Sequence, residues 1–231
     1  MPLKTTTIHQ QVQRELEQTA PLIQGFNWED PKAYGQWLAQ TYYMVAHSTR
    51  LVALAGAHAP LNQDFLHHRF VDHSKEERGH QLICLSDLRK LGQHIEQIPC
   101  LPASAAMYQV QYYWIQYRGA ASFLGYTLAL ESLAETFVPQ IYSRASPAHS
   151  TAACHFLRVH GEADVGHTAE AYKVIEKLSE DEQILVRDNL KLSCSLYRNM
   201  LTEIRAALED SLQPHEKPTF APLPLRKAQG Q

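Results

Sequence analysis

Residues 61–92, LNQDFLHHRFVDHSKEERGHQLICLSDLRKLG, decide the fold class. Apolar side chains recur there at three- and four-residue spacing, the period of a helix with one buried face. The stretch stops at Gly92 after Arg89 and Lys90, a glycine stop with basic residues in the last turn. Neighbouring segments keep the same period, and almost nothing in the chain alternates with period two. An all-α protein is therefore expected.

Working outward, a first helix is expected over residues 5–24. A second opens at Asp30-Pro31, an acidic cap with proline in the first turn, and runs to about Ala57, where Gly56 and Pro60 close it. Residues 61–92 form the third. After a connection at 93–103, helices are expected at 104–118 and 120–143, the latter kinked or ended by Pro139. A sixth covers 149–178. Ser179 with Glu182 forms a capping box that opens a seventh, lasting to about Leu212. These give a single-domain bundle of about seven helices over 1–212. The tail QPHEKPTFAPLPLRKAQGQ, residues 213–231, has four prolines and no periodicity, and reads as an extended arm laid on the domain or on a second subunit.

Composition narrows the function. Of 231 residues 45% are apolar and 19% charged, enough to bury a core, while a net charge of -3 without a long basic run gives nucleic acid no electrostatic footprint. No window reaches a membrane span, no polybasic anchor is present, and the polar N-terminus lacks the apolar core of a secretory signal. A cytoplasmic protein is the expectation. Cys84, Cys100, Cys154 and Cys194 are widely spaced with no CxxC pair, as in reduced buried thiols. Histidine, at 13, is the one compositional oddity.

Three stretches concentrate ligand-type side chains. In HGEADVGH, His160, Asp164 and His167 fall on one helix face; the alternative is a polar solvated face, which the flanking Phe156, Leu157, Ala163 and Ala171 argue against. In HSKEERGH, His73, Glu76, Glu77 and His80 can share a face. Glu77 and His80 match the Glu-x-x-His pair of dimetal bundles, with a surface salt-bridge row as the alternative, and only one of the two glutamates can be well aimed. In LGYTLALESLAETF, Glu131 sits in an apolar run, where a carboxylate is costly unless paired or metal-bound. Glu135 is expected on the solvent side. Mixed carboxylates and imidazoles, with no cysteine among them, suit iron or manganese, and the number of donors suits two ions.

These residues resemble the heme-oxygenase-like diiron oxidases and oxygenases, which share a helical fold with TenA-type thiaminases and pyrroloquinoline-quinone synthase. The resemblance rests on His160-x3-Asp164-x2-His167, on the LGY…LES segment around Glu131 and on EERGH…DLRKLG, and covers about residues 30–205. It implies two Fe2+ ions held by His80, Glu131, His160, Asp164 and His167, with Glu77 or Glu76 as the sixth ligand. Some members place a glutamate seven residues before the first histidine, and that position here is His73. A glutamate from the preceding helix, used by some members, has no counterpart in residues 42–55, so the second ion is expected to be weakly held or differently ligated. O2 as co-substrate, an external electron donor and a homodimer are implied as well. The substrate would be a small amine, amino acid or fatty acid.

The same fold offers other readings. His9 stands where heme oxygenases carry a proximal ligand, but Gly119 and Gly125, among bulky Phe123 and Tyr126, are too few for a porphyrin to approach the backbone. A TenA-like metal-free hydrolase would use Cys154 or Cys194 and leave the carboxylates and imidazoles without a task. A non-catalytic metal-binding bundle of ferritin type would need a second Glu-x-x-His pair. Aromatic residues Trp37, Tyr42, Tyr43, Tyr108, Tyr112, Tyr113, Trp114 and Tyr117 are expected near the site, mostly as packing, and Arg50 or Arg118 could hold a substrate carboxylate.

Overall fold

Gly125 on α7 (Leu124–His149) lets that helix lie directly against α10 (Glu180–Asp210): a Cβ there would run into the Val186 carbonyl oxygen and the Leu190 amide. This glycine therefore serves a helix–helix contact. The computed structural model describes residues 7–163 and 167–210 and, within them, all side chains except those of residues 162, 163 and 167. The expected arm at 213–231 lies outside the described residues.

Around the α7–α10 pair are α1 (Ile8–Gln24), α2 (Pro31–Val45), α3 (Ser48–His58), α4 (Asp64–Glu76), α5 (His80–Lys90), α6 (Pro102–Arg118), α8 (His155–Ala163) and α9 (His167–Ile175). No strand occurs among the described residues. Buried polar links fix the register of α10. Asn189 Nδ2 donates to Gln111 Oε1 on α6 at 2.8 Å, and Arg198 donates to Glu15 Oε2 on α1 at 2.8 Å. Asn189 and Gln111 are fully buried and must find partners inside, and Glu15 is buried beside a part-buried Arg198.

Among the described residues ten helical segments stand where about seven helices were expected, and two of the long predicted helices are broken. The second predicted helix divides at Ala46–His47, into α2 and α3. The third divides after Glu77 at Gly79, whose φ of 93° is in the left-handed region. The sixth is described as α8 and α9, with residues 164–166 between them outside the description. Pro139 does not end α7, which continues to His149: proline costs one backbone bond, and its position is exposed, where water can satisfy the orphaned carbonyl. Expected starts hold at Asp30, whose side chain accepts from the Lys32 amide, and at Ser179, which exchanges bonds with Glu182. Among the described residues no helix is long and apolar enough to cross a membrane.

Candidate metal centre

Helix α4 carries Arg69, His73 and Glu77 at i, i+4 and i+8, one stripe facing the bundle interior. Gly79 then breaks the helix, and His80 opens α5 three residues beyond Glu77. Glu131 arrives from α7 and His160 from α8. Sequence-distant groups thus meet in a chain of contacts. Glu131 Oε1 is 3.5 Å from His73 Nδ1; His73 Nε2 is 3.6 Å from Glu77 Oε1; Glu77 Oε2 is 3.6 Å from His80 Nδ1. The His80 ring meets the His160 ring edge-on, with centroids 4.7 Å apart.

Electrostatics tie the cluster together. Burial opposes the charge on Glu77, yet His73 and His80 outweigh it and hold the carboxyl well below the usual carboxylate range. For His73 burial disfavours the imidazolium, but Glu77 and Glu131 prevail and its pKa is raised. Glu131 is 8% exposed, and a carboxylate so placed needs compensation. His73 supplies part of it, facing one carboxylate from each ring nitrogen.

His160 is oriented as a donor. Its Nδ1 lies 2.8 Å from the Phe156 carbonyl oxygen, which can only accept, so Nδ1 carries the proton and Nε2 the lone pair of the neutral ring. The start of α8 is in turn fixed by Asp87 of α5, whose Oδ2 accepts from the Phe156 amide at 2.7 Å.

The two adjacent glutamates separate as one turn of helix demands. Glu77 faces the cluster, while Glu76 is exposed and meets Arg69 NH1 at 3.5 Å. Asp164 lies outside the described residues, and the side chain of His167 is not described. Among the described residues no three His, Cys, Asp or Glu side chains converge in metal-binding geometry; Glu131, His73, Glu77 and His80 are spaced as ion pairs.

A partly open, mostly apolar cavity of about 120 Å³ adjoins these groups, with His73, Glu77, Glu131 and His160 in its wall. Its lining follows α7 from Glu131 to Ile141, a rise of ~15 Å over ten residues. So small a volume over that length means a narrow slot. Phe123, Leu133, Phe137, Val138 and Trp37 make most of the wall apolar.

Of the expected aromatic set only Trp37 lines this cavity. Tyr108 stacks on His47 at 3.9 Å, Tyr43 donates to the Ile98 carbonyl, and Tyr113 and Tyr117 are exposed. Arg50 bonds the Ala46 carbonyl and Arg118 lies over Trp114; neither reaches the cavity. Glu135 is exposed, as expected, and accepts from Thr168. His9 is exposed and stacks on Tyr172. Two residues went unanticipated. Arg69 NH2 lies 3.6 Å from Glu131 Oε1, and the hydroxyl of Tyr126 is buried in the cavity wall. For Arg69 the signal was present, four residues before His73 on the same face; Tyr126 was hidden inside an apolar run.

Comparison with known proteins agrees with this architecture. A domain of unknown function with a heme oxygenase-like fold from Shewanella denitrificans superposes with a TM-score of 0.79 at 17% identity, covering 95% of this chain and 100% of that one. A TenA homolog from Pseudomonas syringae pv. tomato gives 0.70 at 13% identity, covering 84% and 92%. No curated protein matches the sequence. At these identities the structures establish the fold, heme-oxygenase-like, and nothing of the chemistry. The sequence itself matches the model of one family over residues 35–198, a span that contains every member of the cluster: this chain belongs to the iron-containing redox enzymes.

Proposed function

We propose that the chain is a non-heme iron oxidoreductase that uses O2 on a small, largely apolar organic substrate, with two Fe2+ ions as the complement. The observation that carries this reading is the continuous run Glu131–His73–Glu77–His80–His160, drawn from four helix segments, beside a mostly apolar cavity. The donors fit iron: hard carboxylates, imidazoles, no thiolate, and a His160 tautomer already presenting Nε2. Glu77, His80, Glu131 and His160 would hold the metal, with Asp164 and His167 as the remaining donors. His73, facing a carboxylate from each ring nitrogen, fits a positioning role better than ligation.

Bound iron supplies the reduction of O2, which amino-acid side chains do not. The chain's own contribution is placement and dryness. Glu77 is kept anionic by His73 and His80, so it meets a cation without first losing a proton, and Glu131 lies beside Arg69 and His73. The narrow apolar slot suits an extended apolar substrate, which among the expected classes favours a fatty-acid-like chain over an amino acid.

The TenA-type alternative requires a reactive cysteine. Cys154 and Cys194 are buried away from the cavity, and burial pushes the Cys194 thiol up to about 12, the opposite of an activated nucleophile.

Anaerobic titration with ferrous iron, followed by admission of O2, tests the reading. Two irons per chain and a transient visible absorption are expected, and both should be lost in Glu131→Gln and His80→Gln variants that remain folded. Full iron content in both variants would remove these residues from the site.

A further inference from the structure

Tyr126 has a hydroxyl that no described residue uses. Its side chain is 2% exposed and lines the cavity, and the hydroxyl has no hydrogen-bond partner among the described residues. The ring is held by Phe123, stacked at 5.3 Å and 19°, so packing rather than a polar partner fixes where the oxygen points. Glu77 lies close enough that its charge, added to the larger effect of burial, pushes the phenol above its ordinary range. Tyr126 thus presents its phenol O–H in the cavity wall that Glu77 and Glu131 also line.

A buried donor is nearly always satisfied, and one left open in the wall of an apolar cavity calls for an acceptor delivered from outside. Hydrophobic neighbours offer none: the slot leading away along α7 is lined by Leu130, Leu133, Ala134 and Phe137. We propose that Tyr126 positions the substrate by donating a hydrogen bond to an acceptor oxygen on its head group, while the apolar remainder occupies the slot. This rests on the iron reading above, and it deepens it by assigning the head-group contact to a side chain that ligates no metal.

The test uses iron-loaded protein without oxygen, with octanoate and 1-octene as probes of matched length, in the wild type and in Tyr126→Phe. Octanoate should bind the wild type more tightly than 1-octene. The variant should lose about tenfold for octanoate, the worth of one hydrogen bond to a charged group, and nothing for 1-octene. Since the hydroxyl has no partner among the described residues, Tyr126→Phe should melt no lower than the wild type, and the rise in Tm that octanoate gives the wild type should shrink. Unchanged octanoate affinity, equal losses for both probes, or a lower Tm of the free variant would each overturn the assignment. Iron content, measured on the same samples, separates the two failures. Iron-loaded protein indifferent to Tyr126 sinks this assignment alone, and protein that takes up no iron sinks the reading beneath it too.

Discussion

Arg69 NH2 lies 3.6 Å from Glu131 Oε1, the oxygen that His73 Nδ1 approaches to 3.5 Å, so one buried carboxylate is shared by a guanidinium and an imidazole. The Arg69 side chain is itself only 10% exposed, and its other arm reaches out to Glu76. A guanidinium at this place stabilises the protein without metal and competes with any cation that Glu131 would bind. Arg69→Met should therefore lower the stability of metal-free protein by about 2 kcal/mol, the low side for breaking a buried pair because His73 still faces Glu131, and Tm by roughly 4–8 °C. The same variant should bind ferrous iron about tenfold more tightly. Thermal melts and anaerobic titrations check both signs, and an Arg69→Met protein with wild-type values in each would show the pair to be inert.

What could be read from the residues before any coordinates follows from where the information sits. Helical periodicity is local, so the all-α class and the caps at Asp30 and Ser179 were legible. The break at Ala46–His47 was not, because neither residue is a breaker; tertiary packing stops α2 there, with His47 stacked on Tyr108 of α6. The Glu77–His80 pairing was legible as spacing, but choosing Glu77 over Glu76 required knowing which side of α4 faces inward. The aromatic stretch on α6 misled for the same reason: its residues share a helix, and most of that helix surface faces away from the cavity.

Glycine positions give a sharp contrast. At Gly125 an added Cβ meets backbone atoms of α10, which cannot move without shifting the helix, so Gly125→Ala should cost about 3 kcal/mol or more. At Gly35 the same Cβ meets only the end of the Gln93 side chain, which can swing aside by giving up its bond to the Pro31 carbonyl. Gly35→Ala should accordingly cost about 1 kcal/mol. Urea unfolding of the two variants checks the ordering, and equal midpoints would refute the close α7–α10 approach as the reason for Gly125.

His47 makes stability depend on pH. Burial lowers its pKa, with Arg50 adding a smaller effect, so the folded protein prefers the neutral ring that stacks on Tyr108 and meets Tyr112 Oη through Nδ1 at 2.9 Å. The unfolded chain binds the proton more readily, so this contribution is full above the unfolded value of about 6.5 and is lost as pH falls through the lower folded value. Unfolding free energies measured from pH 8 down to 5 should decline, and His47→Phe, which keeps the stack but cannot titrate, should flatten part of that decline. An identical pH profile in the variant would exclude His47 as the source.

Asp87 links the stability of α8 to the placement of His160. Its carboxyl is fully buried, accepts from the Phe156 amide at the first turn of α8, and is approached by Lys90 Nζ at 3.3 Å. Burial, the largest influence, raises its pKa against the pull of those partners, so the charge is held at a cost while the hydrogen bond is needed. Asparagine keeps an acceptor oxygen at the helix start and removes the charge; alanine removes both. Asp87→Asn should stay within about 1 kcal/mol of the wild type, whereas Asp87→Ala should lose about 2 kcal/mol by stranding the Phe156 amide. Because His160 takes its orientation from the Phe156 carbonyl in that same turn, the alanine variant should also bind ferrous iron roughly tenfold or more weakly, as expected when a residue supporting a ligand is removed. If Asp87→Ala loses stability but keeps full iron affinity, the start of α8 supports the fold without orienting His160.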